Sequence, residues 1–161
     1  MQIRRRQPLL AGPAALRVRR VLYLNGLRDG QIDDAMQEIE LRALERPLRD
    51  RGAATAWACV VATNLAIDVH RRAGRMEQTV LPEEHSTVGD LSEPAGLRDA
   101  IRTGLEALPP ELRATVVLRF YADFTVPEIA TAMAVPDGTV KSRLHRAIDE
   151  LRRYLPMEAM R

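Results

Sequence analysis

The groups most able to do chemistry in this 161-residue chain are the cations and hydroxyls of DGTVKSRLHRAIDELRR, residues 137–153. Val140, Leu144, Ala147, Ile148, Leu151 and Leu155 recur at about 100° per residue and share one side of a helix. Ser142, His145, Arg146 and Asp149 then face outward, with Lys141 and Arg143 flanking that face. Lys141 is the one lysine among 24 Lys+Arg. In the first turns of a helix, Arg and Lys can donate to guanine O6 and N7 in a major groove, while Ser and Thr bond phosphates. The solvated face of any amphipathic helix has a similar pattern. The preceding segment separates the two readings: VPEIATAM is a short helix burying Val126, Ile129, Ala130 and Met133, and AVPDG is a tight turn. Short helix, turn and longer helix form a helix-turn-helix pattern, which favours DNA.

Five further helices are needed to hold that motif. In PELRATVVLRFYADF, Leu112, Val116 and Phe120 are expected on a buried face, and Pro110 suits a helix start. Thr125 and Glu128 have the spacing of a capping box, with Pro127 in the first turn. GLRDAIRTGLEAL has Leu97, Ile101, Leu105 and Leu108 at helical spacing, so four helices are expected in the C-terminal part. Three are expected before it. The first runs roughly from Ala14 to Leu27. The second, QIDDAMQEIELRALE, is amphipathic through Ile32, Ala35, Met36, Ile39 and Ala43. The third, AATAWACVVATNLAIDVHRR, is mostly apolar and ends in His70, Arg71 and Arg72, cations that suit a helix C-terminus. Between the two groups, residues 74–96 lack apolar periodicity and carry Pro, Gly, Ser and acids, as a linker does.

The composition, 46% hydrophobic, 29% charged and 4% aromatic, is that of a helix-leaning globular protein. A formal net charge of +2 conceals segmentation by sign. Residues 1–20 hold six arginines and no acid, residues 29–45 six acids against Arg42, and residues 76–96 five acids and no base. The basic start resembles a signal peptide, but its apolar part is broken by Gly12-Pro13 and runs into Arg17, so export is not expected. No run is expected to span a membrane. A single cysteine, Cys59, excludes an internal disulfide. His70, His85, His145 and Cys59 lack metal-ligand spacing, and neither GxxxxGK nor GxSxG occurs. No cofactor, metal or catalytic residue is expected, and the chain does not read as an enzyme.

The run LEALPPELRATVVLRFYADFTVPEIATAMAVPDGTVKSRLHRAIDEL resembles region 4 of sigma factors, with PEIA, the VP turn and TVKSRLHRA as its marks. DDAMQEIELRA is similar to region 2.2, and WACVVATNLAID followed by VHRR to regions 2.3 to 2.4. The order matches the minimal group, the extracytoplasmic-function sigma factors of the sigma-70 family, over roughly residues 14–155. The resemblance implies an all-α chain: a basic arm over 1–13, a three-helix region 2 domain over 14–75, a flexible acidic linker over 76–95, a region 4 helix-turn-helix domain over 96–156, and a tail over 157–161. It implies a cytoplasmic, nucleoid-associated transcription initiation factor whose partners are core RNA polymerase (beta and beta-prime subunits), promoter DNA and an anti-sigma factor. The −35 contacts fall by resemblance on Thr139, Val140, Lys141, Ser142, Arg143, His145 and Arg146. Those to the −10 element fall on Trp57, Thr63, Asn64, Asp68, Arg71, Arg72, Arg49 and Arg51, with Arg46 in the same loop. Polymerase docking falls on Asp33, Asp34, Gln37, Glu38 and Leu41, where acids complement a basic partner.

The chain departs from the family pattern at three places. Ala134 stands where the turn commonly has glycine, so it must adopt a left-handed backbone or another turn. Glu40 and Leu44 stand where aromatics are usual, leaving Trp57 and Tyr23 in the N-terminal domain. Strand opening is then expected to rest on capture of one or two bases rather than on stacking. The rival reading, a stand-alone helix-turn-helix regulator, leaves DDAMQE and TNLAID unexplained. A recombinase or other DNA-processing enzyme would need clustered carboxylates beyond Asp33 and Asp34.

Overall fold

Proline and capping residues fix where the helices begin. Pro13 opens α1 (Pro13–Leu24), and Asp50 accepts a 2.9 Å bond from the Ala53 N–H at the start of α3 (Arg51–Met76). Between them, α2 (Asp29–Leu44) follows the turn at Asn25-Gly26. The computed structural model describes residues 10–45, 50–76 and 95–155. The arm before residue 10, Arg46 and Arg49, and the linker over 77–94 lie outside the described residues.

Helices α1 to α3 bury Val18, Val21, Leu22, Leu27, Ile32 and Ile39 against a row of small residues on α3, Ala58, Ala62 and Ala66. Small side chains at i, i+4 spacing let the other helices approach the α3 backbone closely. Helix α3 is long and apolar enough to cross a membrane by length and composition, contrary to expectation. Part of its apolar surface, at Ala58, Cys59, Val61, Ala62, Ala66 and Ile67, is instead buried against protein, because the central helix of a bundle packs on several sides. Cys59 is among the core residues, and burial pushes its thiol up to about 11.

The second unit consists of α4 (Ala95–Ala107), α5 (Pro110–Val116), α6 (Val126–Met133) and α7 (Asp137–Arg152). Gly104 lets α4 meet α7, since a Cβ there would lie 2.8 Å from Leu151 Cδ2. The expected capping box forms: Thr125 N–H and Oγ1–H each donate to Glu128 Oε2 at 2.7 Å, and Glu128 N–H donates back to Thr125 Oγ1 at 3.4 Å. Helix α6 ends at Ala134 with φ 52 and ψ 47, so the turn is left-handed without a glycine. The Val135 N–H closes it on Ala130 O at 3.0 Å.

One expectation fails for a local reason. Phe120 is not buried; it is 62% exposed. Helix α5 passes at Val117–Tyr121 into a π-helical turn, closed by Ala122 N–H to Val117 O at 3.0 Å. The extra residue per turn delays the helical phase, bringing Val117, Leu118 and Ala122 inward and turning Phe120 out.

The two units are packed together. Val117 is part of the α1–α3 core, Tyr121 and Phe124 lie against that core, and Leu24 of α1 packs on the cluster of Leu105, Leu108, Leu112, Val116 and Ala147.

Candidate nucleic-acid interface

Helix α7 presents Lys141, Ser142, His145 and Arg146 as exposed residues, with Thr139 and Arg143 half-buried beside them. Two bonds to the helix's own carbonyls order this face: Ser142 Oγ donates to Thr139 O at 3.0 Å, and His145 Nδ1 lies 2.9 Å from Lys141 O. Val140 does not belong to it. It is fully buried against Leu118, Ile129 and Ala130. The apolar phase of 140, 144, 147 and 151 already separates it from its neighbours, because one residue is a 100° step around the helix.

On α3 the same correction applies to Thr63, which is 1% exposed and donates from Oγ1 to Cys59 O at 2.9 Å. Its neighbour Asn64 is exposed, as are Asp68, Arg71 and Arg72. Trp57, Val60, Asn64, Asp68 and Arg71 follow at three- and four-residue intervals along one face. Two clefts run along that face. In the first, about 520 Å³, Trp57 and Val60 meet Phe124, Pro127, Glu128, Thr131 and Ala132. In the second, about 330 Å³, Asn64, Ile67, Asp68 and Arg71 meet Glu111, Met133, Val135 and Arg143. Arg51 is exposed at the far, N-terminal end of the helix.

Glu111 is the polar partner that sequence reasoning did not find. It accepts from Arg71 Nη2 at 3.0 Å. Burial acts to raise its carboxyl pKa, but its backbone hydrogen bond, the Arg71 pair and the charge of Arg143 together hold it below the usual carboxylate range. Arg113 was missed as well. It is 7% exposed, and its guanidinium donates to Asn25 O, Glu106 O and Leu108 O. No signal in a lone arginine of a helical pattern marks it for burial.

A different chemistry occupies α2. Asp33, Asp34, Gln37 and Leu41 are exposed and Glu38 is half-buried. Glu38 accepts from Arg42 at 2.7 Å, and Asp33 accepts from Arg19. Leu41 and Leu44, 55% and 61% exposed, add apolar area to this acidic face. Acids around exposed leucines suit a protein partner with a basic, partly apolar surface better than a phosphate backbone. Among the described residues, no three His, Cys, Asp or Glu side chains gather as metal ligands.

Comparison with known proteins follows the same division. Sigma-70 region 2 matches residues 13–76, and Sigma-70, region 4, matches residues 98–151. Over 147 residues the chain is 35% identical to the ECF RNA polymerase sigma factor SigL of Mycobacterium tuberculosis, covering 86% of this chain and 82% of that protein. It is 32% identical, again over 147 residues, to the ECF RNA polymerase sigma factor SigE of Mycolicibacterium smegmatis, covering 86% of this chain and 57% of that one. The chain therefore spans little more than half the length of this second relative. In fold it is similar to the sigma factor RpoE in complex with the anti-sigma factor NepR from Bartonella quintana. The TM-score is 0.64 at 18% identity, over 88% of this chain and 91% of the other.

Proposed function

The chain belongs to the extracytoplasmic-function group of sigma-70 RNA polymerase sigma factors, and from that premise we propose that it binds core RNA polymerase, directs it to a two-part promoter and assists strand opening. The observation that supports this most directly is the exposed cationic face of α7, which follows a capped α6 and a left-handed turn.

In this reading, Lys141, Arg143 and Arg146 enter the major groove at the −35 element, with Thr139, Ser142 and His145 at its edge. Asn64, Asp68, Arg71 and Arg72, with Trp57, Arg49 and Arg51, serve the −10 element. An amide such as Asn64 can both donate to and accept from an exposed base. The acidic face of α2, with Asp33, Asp34, Gln37, Glu38 and Leu41, docks on the beta and beta-prime subunits. The protein would act in the cytoplasm on nucleoid DNA, and an anti-sigma factor would be its regulator. No catalytic group takes part; the work is recruitment and base capture.

The test is reconstitution. Purified protein is added to core polymerase and linear DNA bearing a matching promoter, and run-off transcripts are measured. Specific transcripts that require both promoter elements are expected. DNA binding by the chain with no association with core polymerase would instead favour the stand-alone regulator, a reading that leaves the acidic, leucine-bearing face of α2 without a role.

A further inference from the structure

We propose that His145 places a fixed hydrogen-bond acceptor on the cationic face of α7, and that this atom selects a base with an exocyclic amino group, adenine or cytosine, at one position of the −35 element. The inference rests on the sigma-factor reading for the use of the face. The polarity of the atom rests on geometry.

His145 is exposed on α7, three residues after Ser142 and four after Lys141, so it stands one turn along from both on the outward side. Its Nδ1 lies 2.9 Å from Lys141 O. A carbonyl oxygen only accepts, so the hydrogen between them belongs to Nδ1. In the neutral ring Nε2 then carries a lone pair and no hydrogen. No other hydrogen bond reaches His145 among the described residues. Asp149, the acid one turn further on, is taken up by Arg152 at 3.0 Å.

The same bond gives the ring a direction. It draws the imidazole back toward the N-terminal turns of α7, the part of a recognition helix that enters the major groove. Turning the ring over would put a carbon in place of Nδ1 and lose the bond to Lys141 O, so the acceptor is not easily exchanged for a donor. Ser142 differs in this respect. Its hydroxyl hydrogen, donated to Thr139 O at 3.0 Å, can rotate to a phosphate.

Few groups on a duplex can meet a bare Nε2. Phosphate oxygens, guanine O6 and N7, adenine N7 and thymine O4 all accept, and their partners on this face are the donors Lys141, Arg143 and Arg146. The major groove offers donors only at adenine N6 and cytosine N4. Set against an acceptor, Nε2 would lose a hydrogen bond to water and gain none. One helix face therefore carries both polarities, and the element that it selects must carry both as well.

Two measurements on the full chain at pH 8 test this. Long-range proton–nitrogen correlation spectra, with the His145 signals identified by their loss in His145→Gln, are expected to show Nδ1 protonated and Nε2 bare. The opposite tautomer would overturn the proposal whatever the chain does with DNA. The reconstituted complex with core polymerase then selects duplexes from a randomised library. Wild type is expected to enrich adenine or cytosine at one −35 position. Guanine or thymine there should weaken binding roughly two- to tenfold, the worth of one neutral hydrogen bond. An analogue without the groove-facing N–H, 2-aminopurine for adenine or N4-methylcytosine for cytosine, should weaken it similarly. His145→Ala should flatten the preference at that position alone, His145→Gln, whose Oε1 accepts, should keep it, and His145→Lys, a donor only, should move it to guanine or thymine. A preference that is unchanged in His145→Ala or in His145→Lys would overturn the role of His145 while leaving the sigma-factor reading intact. A wild type that fails to join core polymerase, or whose complex selects no sequence, would strike that reading and take the role of His145 with it.

Discussion

In the proposed −35 contact, Lys141 and its neighbours would divide the labour by side-chain shape. A lysine is a flexible point charge, whereas the planar arginine fork can bond two acceptors of one base. We expect Lys141→Ala to weaken duplex binding about equally across sequences and to reduce the slope of log affinity against log salt by about 1. Arg143→Ala and Arg146→Ala should cost about 1–3 kcal/mol on the preferred site and relax sequence preference. Fluorescence anisotropy over a salt series with preferred and scrambled duplexes distinguishes these outcomes. His70 supplies a second test at this scale. Burial depresses its pKa; the bond to Asn25 O opposes this in part, while the charges of Arg113 and Arg28 add to the depression. The unfolded chain therefore binds the proton more readily. The stability this group contributes is complete above its ordinary pKa of 6.5 and is lost as pH falls from there toward the folded value. Thermal melts between pH 7.5 and 5 should show this decline in wild type and a smaller one in His70→Gln.

The helix-turn-helix depends on two short devices. The Thr125–Glu128 box satisfies N–H groups that a helix start leaves open, so Thr125→Ala should cost about 1 kcal/mol, read by denaturant unfolding. Ala134 holds a left-handed conformation that an L-residue adopts at a cost of about 1–2 kcal/mol. Ala134→Gly should relieve most of this strain; allowing for the looser unfolded chain, a gain of roughly 0.5–1 kcal/mol is expected in the same measurement. The cap was legible in the sequence, because S/T-x-x-E spacing is local chemistry. The π turn at Val117–Tyr121 was not. A single added residue in a helical turn leaves no compositional mark, yet it decides that Phe120 faces out and Val117 faces the first unit.

At the scale of the whole molecule, the shared core has a thermodynamic consequence. Val117, Tyr121 and Phe124 lie in or against the core of α1–α3, so neither unit can unfold without exposing apolar surface of the other. Calorimetry should record a single transition for wild type. The sequence by itself determined the seven helices, most of their apolar faces but not that of Val117–Tyr121, the capped motif and the family, because periodicity, caps and turn chemistry act over a few residues. It also put Lys141, Arg146, Asn64 and Arg71 on exposed faces, and the same helical phase, applied strictly, buries Val140. Only the tertiary structure decided that Arg113 reaches Asn25 across 88 residues, that Arg71 finds Glu111, and that Arg143 of α7 shares a cleft with Asn64 and Arg71 of α3. Such contacts depend on how two packed units meet. That is set by the summed shape and charge of surfaces far apart in the chain, which no local pattern encodes.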